Sequence, residues 1–157
     1  MQIRLAKVEE LQRVLDILNE VTLDLKQKGI NQWIEPWDEN KVLDQINNHY
    51  IYVLLNSEET ITGTFCLYDI DRIKEVSVGE ISKYLSQIAI LPKYQGRNYG
   101  SKITQFACSL VKEMNQTLYL DCWAGNDKLK EFYSNNGFEY IGDFPEEDYL
   151  ISMFKYN

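Results

Sequence analysis

Apolar residues recur along this chain with two distinct periods, and the alternation between them lays out the elements. Over residues 8–26, Leu11, Val14, Leu15, Leu18, Val21 and Leu25 fall on one helical face, and Gly29 helps to close the helix. Asp38 sits where an N-cap belongs, ahead of Val42, Leu43 and Ile46 in a shorter helix. A period of two predicts strands over 3–6, 50–55 and 60–70, the last two joined by the turn Asn56-Ser57-Glu58-Glu59. Residues 71–80 mix both kinds of residue without period and read as a loop. A strand follows over 84–90, then a helix over 99–115 carrying Ile103, Phe106, Ala107, Leu110, Val111 and Met114. Residues 117–123 alternate again. A short helix over 126–136 turns Leu129, Phe132 and Tyr133 inward and stops at Asn136-Gly137 in a left-handed cap. Strands over 138–144 and 149–156 flank the acidic turn Glu146-Glu147-Asp148. The order β-α-α-β-β-β-α-β-α-β-β predicts an α/β chain whose mixed sheet carries helices on both faces.

At 157 residues, without repeat or linker, residues 1–157 read as a single domain able to bury a full core. The longest apolar run is about five residues, 51–55, too short to span a membrane, and the N-terminal residues lack the apolar stretch of a signal peptide. Three widely spaced cysteines and one histidine argue against a disulfide framework and a metal site and favour the cytoplasm. His49 is a residue type suited to proton transfer near neutral pH, but a lone histidine beside Tyr50 at a strand start is more often structural.

Charge changes the picture in one place. The chain carries a formal −8, yet residues 81–112 contain Lys83, Lys93, Arg97, Lys102 and Lys112 and no Asp or Glu. Inside that window, Ile88-Ala89-Ile90-Leu91-Pro92 leads into Lys93-Tyr94-Gln95-Gly96-Arg97-Asn98-Tyr99-Gly100 and then a helix. A strand, a glycine-bearing loop and a helix start make a site for a polyphosphate, because N–H groups of a first helical turn lack intrahelical acceptors. No Gly-Lys-Ser/Thr follows, so the loop is not a Walker A motif, and Asn98 breaks the dinucleotide fingerprint. An ordinary strand-to-helix turn on a basic face is the alternative. The overall acidity argues against a nucleic-acid partner.

Two blocks then coincide. Gln95-x-x-Asn98-x-Gly100 follows an apolar-Ala-apolar strand end and a proline; downstream come Asn126, then Phe132-Tyr133, then Asn136-Gly137-Phe138. Together, and in this element order, they resemble the GNAT superfamily of N-acetyltransferases over nearly the whole chain, with Asn98 in place of the usual glycine. The resemblance implies an acetyl-CoA cosubstrate and no metal. Its pyrophosphate would lie on the loop at Gln95, Gly96, Arg97, Asn98, Tyr99, Gly100 and Ser101, and its pantetheine arm along Ile88, Ala89 and Ile90. A backbone N–H near Ile90 would serve the oxyanion. Asn126 would bond the arm, or cap its helix, or both. Tyr133 would protonate the leaving thiolate, a core-packing tyrosine being the other reading.

A glutamate on the central strand serves as base in several relatives; here that position falls at or near Tyr84, leaving Glu80, expected just off the strand, as the candidate. The acceptor would approach Trp33, Trp37 and Tyr84, with Glu35 and Asp38 suiting a cation, unless the indoles only anchor their loop. A small primary amine fits these residues better than a protein N-terminus or lysine. A non-catalytic acyl-CoA sensor is the alternative class, and a homodimer is compatible with either.

Overall fold

The computed structural model describes residues 1–30, 33–73, 76–146 and 149–157, the side chains of 73 and 76–81 excepted. Eleven helices and strands follow the expected order: β1 (Gln2–Leu5), α1 (Leu11–Gln27), α2 (Glu39–Asn47), β2 (Ile51–Leu55), β3 (Ile61–Ile73), β4 (Val76–Ile90), α3 (Tyr99–Met114), β5 (Leu118–Trp123), α4 (Asp127–Asn135), β6 (Glu139–Glu146) and β7 (Tyr149–Tyr156). The seven strands form one mixed sheet, ordered β1-β2-β3-β4-β5-β7-β6, in which β4 and β5 are parallel.

One expectation fails. Most of residues 71–80, read as a loop, belong to two long strands that extend to Ile73 and resume at Val76, and Glu80 lies within β4 rather than beside it. Backbone pairing satisfies a strand whatever its side chains, so the mixed composition concealed it. Residues 74 and 75, between the strands, lie outside the described residues, as do Glu147 and Asp148 of the acidic turn.

By internal contacts the chain divides into two compact units. The first comprises Met1–Leu67 and Gln87–Lys102. Its core joins Val14, Ile17, Leu18 and Val21 of α1 to Val42 and Ile46 of α2 and to Ile51, Val53 and Leu54 of β2, all buried. The Asp38 side chain caps α2, accepting from the N–H groups of Asn40 (2.9 Å) and Lys41 (3.4 Å). Arg4 and Glu10 form a two-point pair at 2.9 and 2.8 Å, which holds the Glu10 carboxyl below its ordinary range.

The second unit comprises Tyr68–Ser86 and Ile103–Asn157. Register and the period of two sort its side chains onto two faces. Leu118, Leu120 and Cys122 of β5 share one face with Ser152 and Phe154 of β7; Tyr119 and Asp121 share the other with Met153. On the first face Tyr133 of α4 packs its ring against Phe138 and Phe154 at 5.6 Å each. Tyr84, Ile151 and Met153 form a small buried cluster on the second, with Tyr68, Ile70, Tyr119 and Phe144 against it. No helix among the described residues is long and apolar enough to cross a membrane.

Candidate active site

The sequence-predicted residues fall into two neighbourhoods, one in each unit. In the first unit, β4 ends at Ile90, and Pro92–Tyr94 makes a short 3-10 turn into the loop. Gln95 braces that loop. Its side-chain amide donates to the Ile90 carbonyl at 2.9 Å and its backbone N–H to Pro92 at 3.3 Å, so its own N–H is not turned toward a ligand. Gly96 has φ +79° and Asn98 φ +62°, both in the left-handed region. Asn98 therefore holds a left-handed conformation, and among side-chain-bearing residues Asn pays least there.

At the start of α3 the bond from Lys102 N–H to the Asn98 carbonyl spans 3.2 Å. In general the first N–H groups of a helix lack an acceptor one turn earlier. A Cβ built on Gly96 or Gly100 meets nothing within 4 Å, so both glycines border open space. Tyr99 points into the core (9% exposed), leaving only its backbone for a ligand. Lys93 and Arg97 lie over the Tyr94 ring, 5.8 and 5.5 Å from its centroid. The cation window thus splits. Lys93, Arg97 and Lys102 belong to the unit that carries the loop, whereas Lys83 and Lys112 belong to the other, where Lys83 pairs with Asp69 at 2.6 Å. These features suit a pyrophosphate: left-handed turns, open glycines, a helix N-terminus without first-turn acids, and an arginine.

Just before Ile88, Ala89 and Ile90, Gln87 takes φ +53° within the strand, which marks a bulge. Gln45 of α2 clasps it through a reciprocal amide pair of 2.9 and 3.2 Å. Across β3, Gly63 makes room for the strand end. A Cβ there would lie 2.8 Å from Ile90 Cδ1 and 2.9 Å from the Ala89 carbonyl oxygen. Gly63→Ala is expected to destabilise the protein by about 1–3 kcal/mol, measured by denaturant unfolding, since the nearest obstacle includes backbone.

Trp37 in the same unit anchors its loop to α1. Its indole N–H donates to Thr22 Oγ1 and its backbone N–H to Asn19 Oδ1, each at 2.9 Å. Trp33 meets it edge-on at 5.3 Å, and Lys41 lies over its ring at 5.7 Å. Glu35 pairs with Lys26 at 3.4 Å, and Asp38 is engaged in capping. The acids of this loop are therefore already occupied.

In the second unit, β5 runs parallel to β4 with Lys83, Tyr84 and Leu85 opposite Leu118, Tyr119 and Leu120. The Tyr84 hydroxyl donates to Asp121 Oδ2 and lies 3.4 Å from the Met153 sulfur. Burial first, then the charge of Asp121 and its hydrogen bond, push the Tyr84 phenol far above its usual range, so it stays a donor. Tyr68 stacks on Tyr84 at 5.5 Å. Asp121 was not singled out in the sequence; a lone acid in an alternating strand was its only signal.

Tyr133 is 6% exposed, and none of the hydrogen bonds among the described residues uses its hydroxyl. Burial, then Cys122 and Asp121, raise its pKa. Asn126 caps α4, its side chain accepting from Leu129 N–H at 3.1 Å. The helix closes as expected, with Phe138 N–H on the Tyr133 carbonyl (3.1 Å) and Gly137 at φ +89°. The side chain of Glu80 lies outside the described residues. No group of three His, Cys, Asp or Glu among the described residues could hold a metal ion.

Comparison with known proteins converges on one group. The family model described as the acetyltransferase (GNAT) family matches residues 12–138. The uncharacterized N-acetyltransferase YesJ of Bacillus subtilis (strain 168) is 26% identical over 145 residues, covering 87% of this chain and 81% of YesJ. Among solved structures, a GNAT-family acetyltransferase from Listeria monocytogenes 4b F2365 superposes with a TM-score of 0.81 at 18% identity, over 97% of this chain and 92% of that one. One from Streptococcus agalactiae 2603 gives 0.78 at 19% identity, over 99% and 94%. With most of its length matched by the family model, the chain belongs to the GNAT family of acetyltransferases and is an acyltransferase enzyme.

Proposed function

We propose that this enzyme moves the acetyl group of acetyl-CoA to a primary amine of a small molecule, by direct attack of the amine on the thioester. The loop at the start of α3 carries this reading. Gly96 and Asn98 in left-handed conformations, with Gly100 bordering open space, form a cradle that a polyphosphate fills and that a strand-to-helix turn does not need. The first-turn N–H groups and Arg97 take the pyrophosphate. The pantetheine arm adds to the edge of Ile88, Ala89 and Ile90 as a strand would, and the amide nitrogen of Asn126 donates to it while its oxygen caps α4. Tyr133 supplies the hydrogen bond that the departing sulfur needs, its phenol being neutral throughout the neutral pH range. A small amine is favoured over a peptide, the aromatic faces of Trp33 and Trp37 suiting a compact cation.

Calorimetric titration tests the cosubstrate. CoA is expected to bind with a dissociation constant on the order of micromolar, weakening as salt screens its phosphates. No heat and no thermal shift at millimolar CoA overturns the reading. Release of free thiol from acetyl-CoA, followed across a panel of polyamines, amino acids and aminoglycosides, then tests the acceptor class.

A further inference from the structure

We infer that Gln45 is a positioning residue for the transfer: its side-chain amide holds Gln87 in the left-handed conformation that sets the backbone of Ile88, Ala89 and Ile90 against the acetyl thioester. The inference rests on the transferase reading above and adds to it the device that fixes the strand end. Among the described residues five that are not glycine take a positive φ: His49, Glu59, Gln87, Asn98 and Asn115. His49 and Asn115 follow the ends of α2 and α3, Glu59 sits in the turn between β2 and β3, and Asn98 in the loop before α3. Gln87 alone of the five lies inside a strand.

A left-handed backbone is costly for a residue with a Cβ, and glutamine lacks the short reach by which Asn offsets that cost locally. Such a conformation persists where its surroundings over-determine it. Here the restraint comes from α2. Gln45 stands in the last turn of that helix, which buries Val42 and Ile46 in the core of the first unit. Its Nε2 donates to Gln87 Oε1 at 2.9 Å, and Gln87 Nε2 donates back to Gln45 Oε1 at 3.2 Å. Two antiparallel hydrogen bonds fix both amide planes, so the helix dictates where the Gln87 side chain lies.

Position ties the bulge to the chemistry. β4 pairs with β5 at Lys83, Tyr84 and Leu85, and Gln87 comes two residues after that pairing ends. Further on the strand is braced again: the Ile90 carbonyl accepts from the Gln95 side chain at 2.9 Å, and Leu91 N–H donates to the Thr62 carbonyl at 3.0 Å. Ile88, Ala89 and Ile90 thus lie between two fixed points, and the amide pair is the upstream one. Backbone groups aimed at a thioester and its oxyanion act by being held before the reaction, and a misplacement of about 1 Å costs up to about 10²-fold in rate. Gln45 touches neither substrate and acts through Gln87.

The test measures kcat and KM on the best amine of the panel, below every variant's melting temperature, beside CoA affinity by calorimetry. Gln45→Ala removes the clasp and keeps the helix, alanine being the better helix former. It is expected to lose about tenfold in kcat, with KM for the amine and CoA affinity within about threefold of the parent. Gln87→Ala and Gln87→Gly both delete the amide, but only glycine takes a positive φ without steric cost. Gln87→Ala should therefore lose about tenfold in kcat and Gln87→Gly about threefold. The double variant Gln45→Ala/Gln87→Gly should match Gln87→Gly, the second substitution restoring turnover that the first removed. A role in packing alone predicts the opposite order at position 87, glycine worse than alanine, and losses that add. Parental kcat in Gln45→Ala, a Gln87→Gly no faster than Gln87→Ala, or additive losses overturn this inference alone. If the parent binds CoA but turns over no amine, both this inference and the transferase reading fall.

Discussion

Gly100→Val should yield a folded protein that no longer binds acetyl-CoA, with affinity reduced more than 10²-fold, or about 3 kcal/mol. The two halves of that expectation come from separate observations. A Cβ at Gly100 meets no protein atom within 4 Å, so the substitution costs the fold little, and valine is no worse than glycine as a helix former. The space it enters is the one assigned to the pyrophosphate, and a β-branched side chain stands there with almost no rotameric freedom to retreat. Asn98→Gly is the matched control. Asn98 is already left-handed, so glycine keeps the geometry and CoA affinity should stay within about threefold. Calorimetry on both variants, alongside their melting curves, checks the pair. Parental affinity in Gly100→Val would move the phosphate site elsewhere.

Tyr133→Phe is expected to keep stability and CoA affinity while lowering turnover about 10²-fold or more. The ring is what the core uses, against Phe132, Phe138 and Phe154, and phenylalanine preserves it. The hydroxyl donates to none of the described residues, so its removal leaves no protein acceptor stranded. A residue whose polar atom contributes nothing to packing yet stays protonated, pushed up by burial, Cys122 and Asp121, is poised to donate outward. Single-turnover thiol release measured against the parent separates the two roles, and an unchanged rate returns Tyr133 to packing alone.

Local signals were legible. The N-caps at Asp38 and Asn126, the left-handed stop at Gly137 and the helix entering from Asn98 each follow from residues within a few positions of one another. The extent of β3 and β4 was not, because charged residues in those strands imitate a loop while the backbone still pairs. Contacts set by register were least accessible. Gln45 and Gln87 are 42 residues apart, and Tyr84 and Asp121 are 37 apart. Only the pairing of β4 with β5 fixes that Tyr84 and Asp121 share a face, and no spacing rule encodes it.

The three cysteines acquire meaning from the reagent this family handles. A thioester acylates thiolates at least as readily as it acylates amines, so each thiol in such an enzyme competes with the acceptor and risks making the protein its own product. Cys66 is fully buried, and burial pushes the Cys108 and Cys122 thiols up to about 11. At neutral pH both therefore stay as thiols rather than thiolates. Burial thereby disfavours acylation of Cys108 and Cys122 by a thioester and their exchange into mixed disulfides.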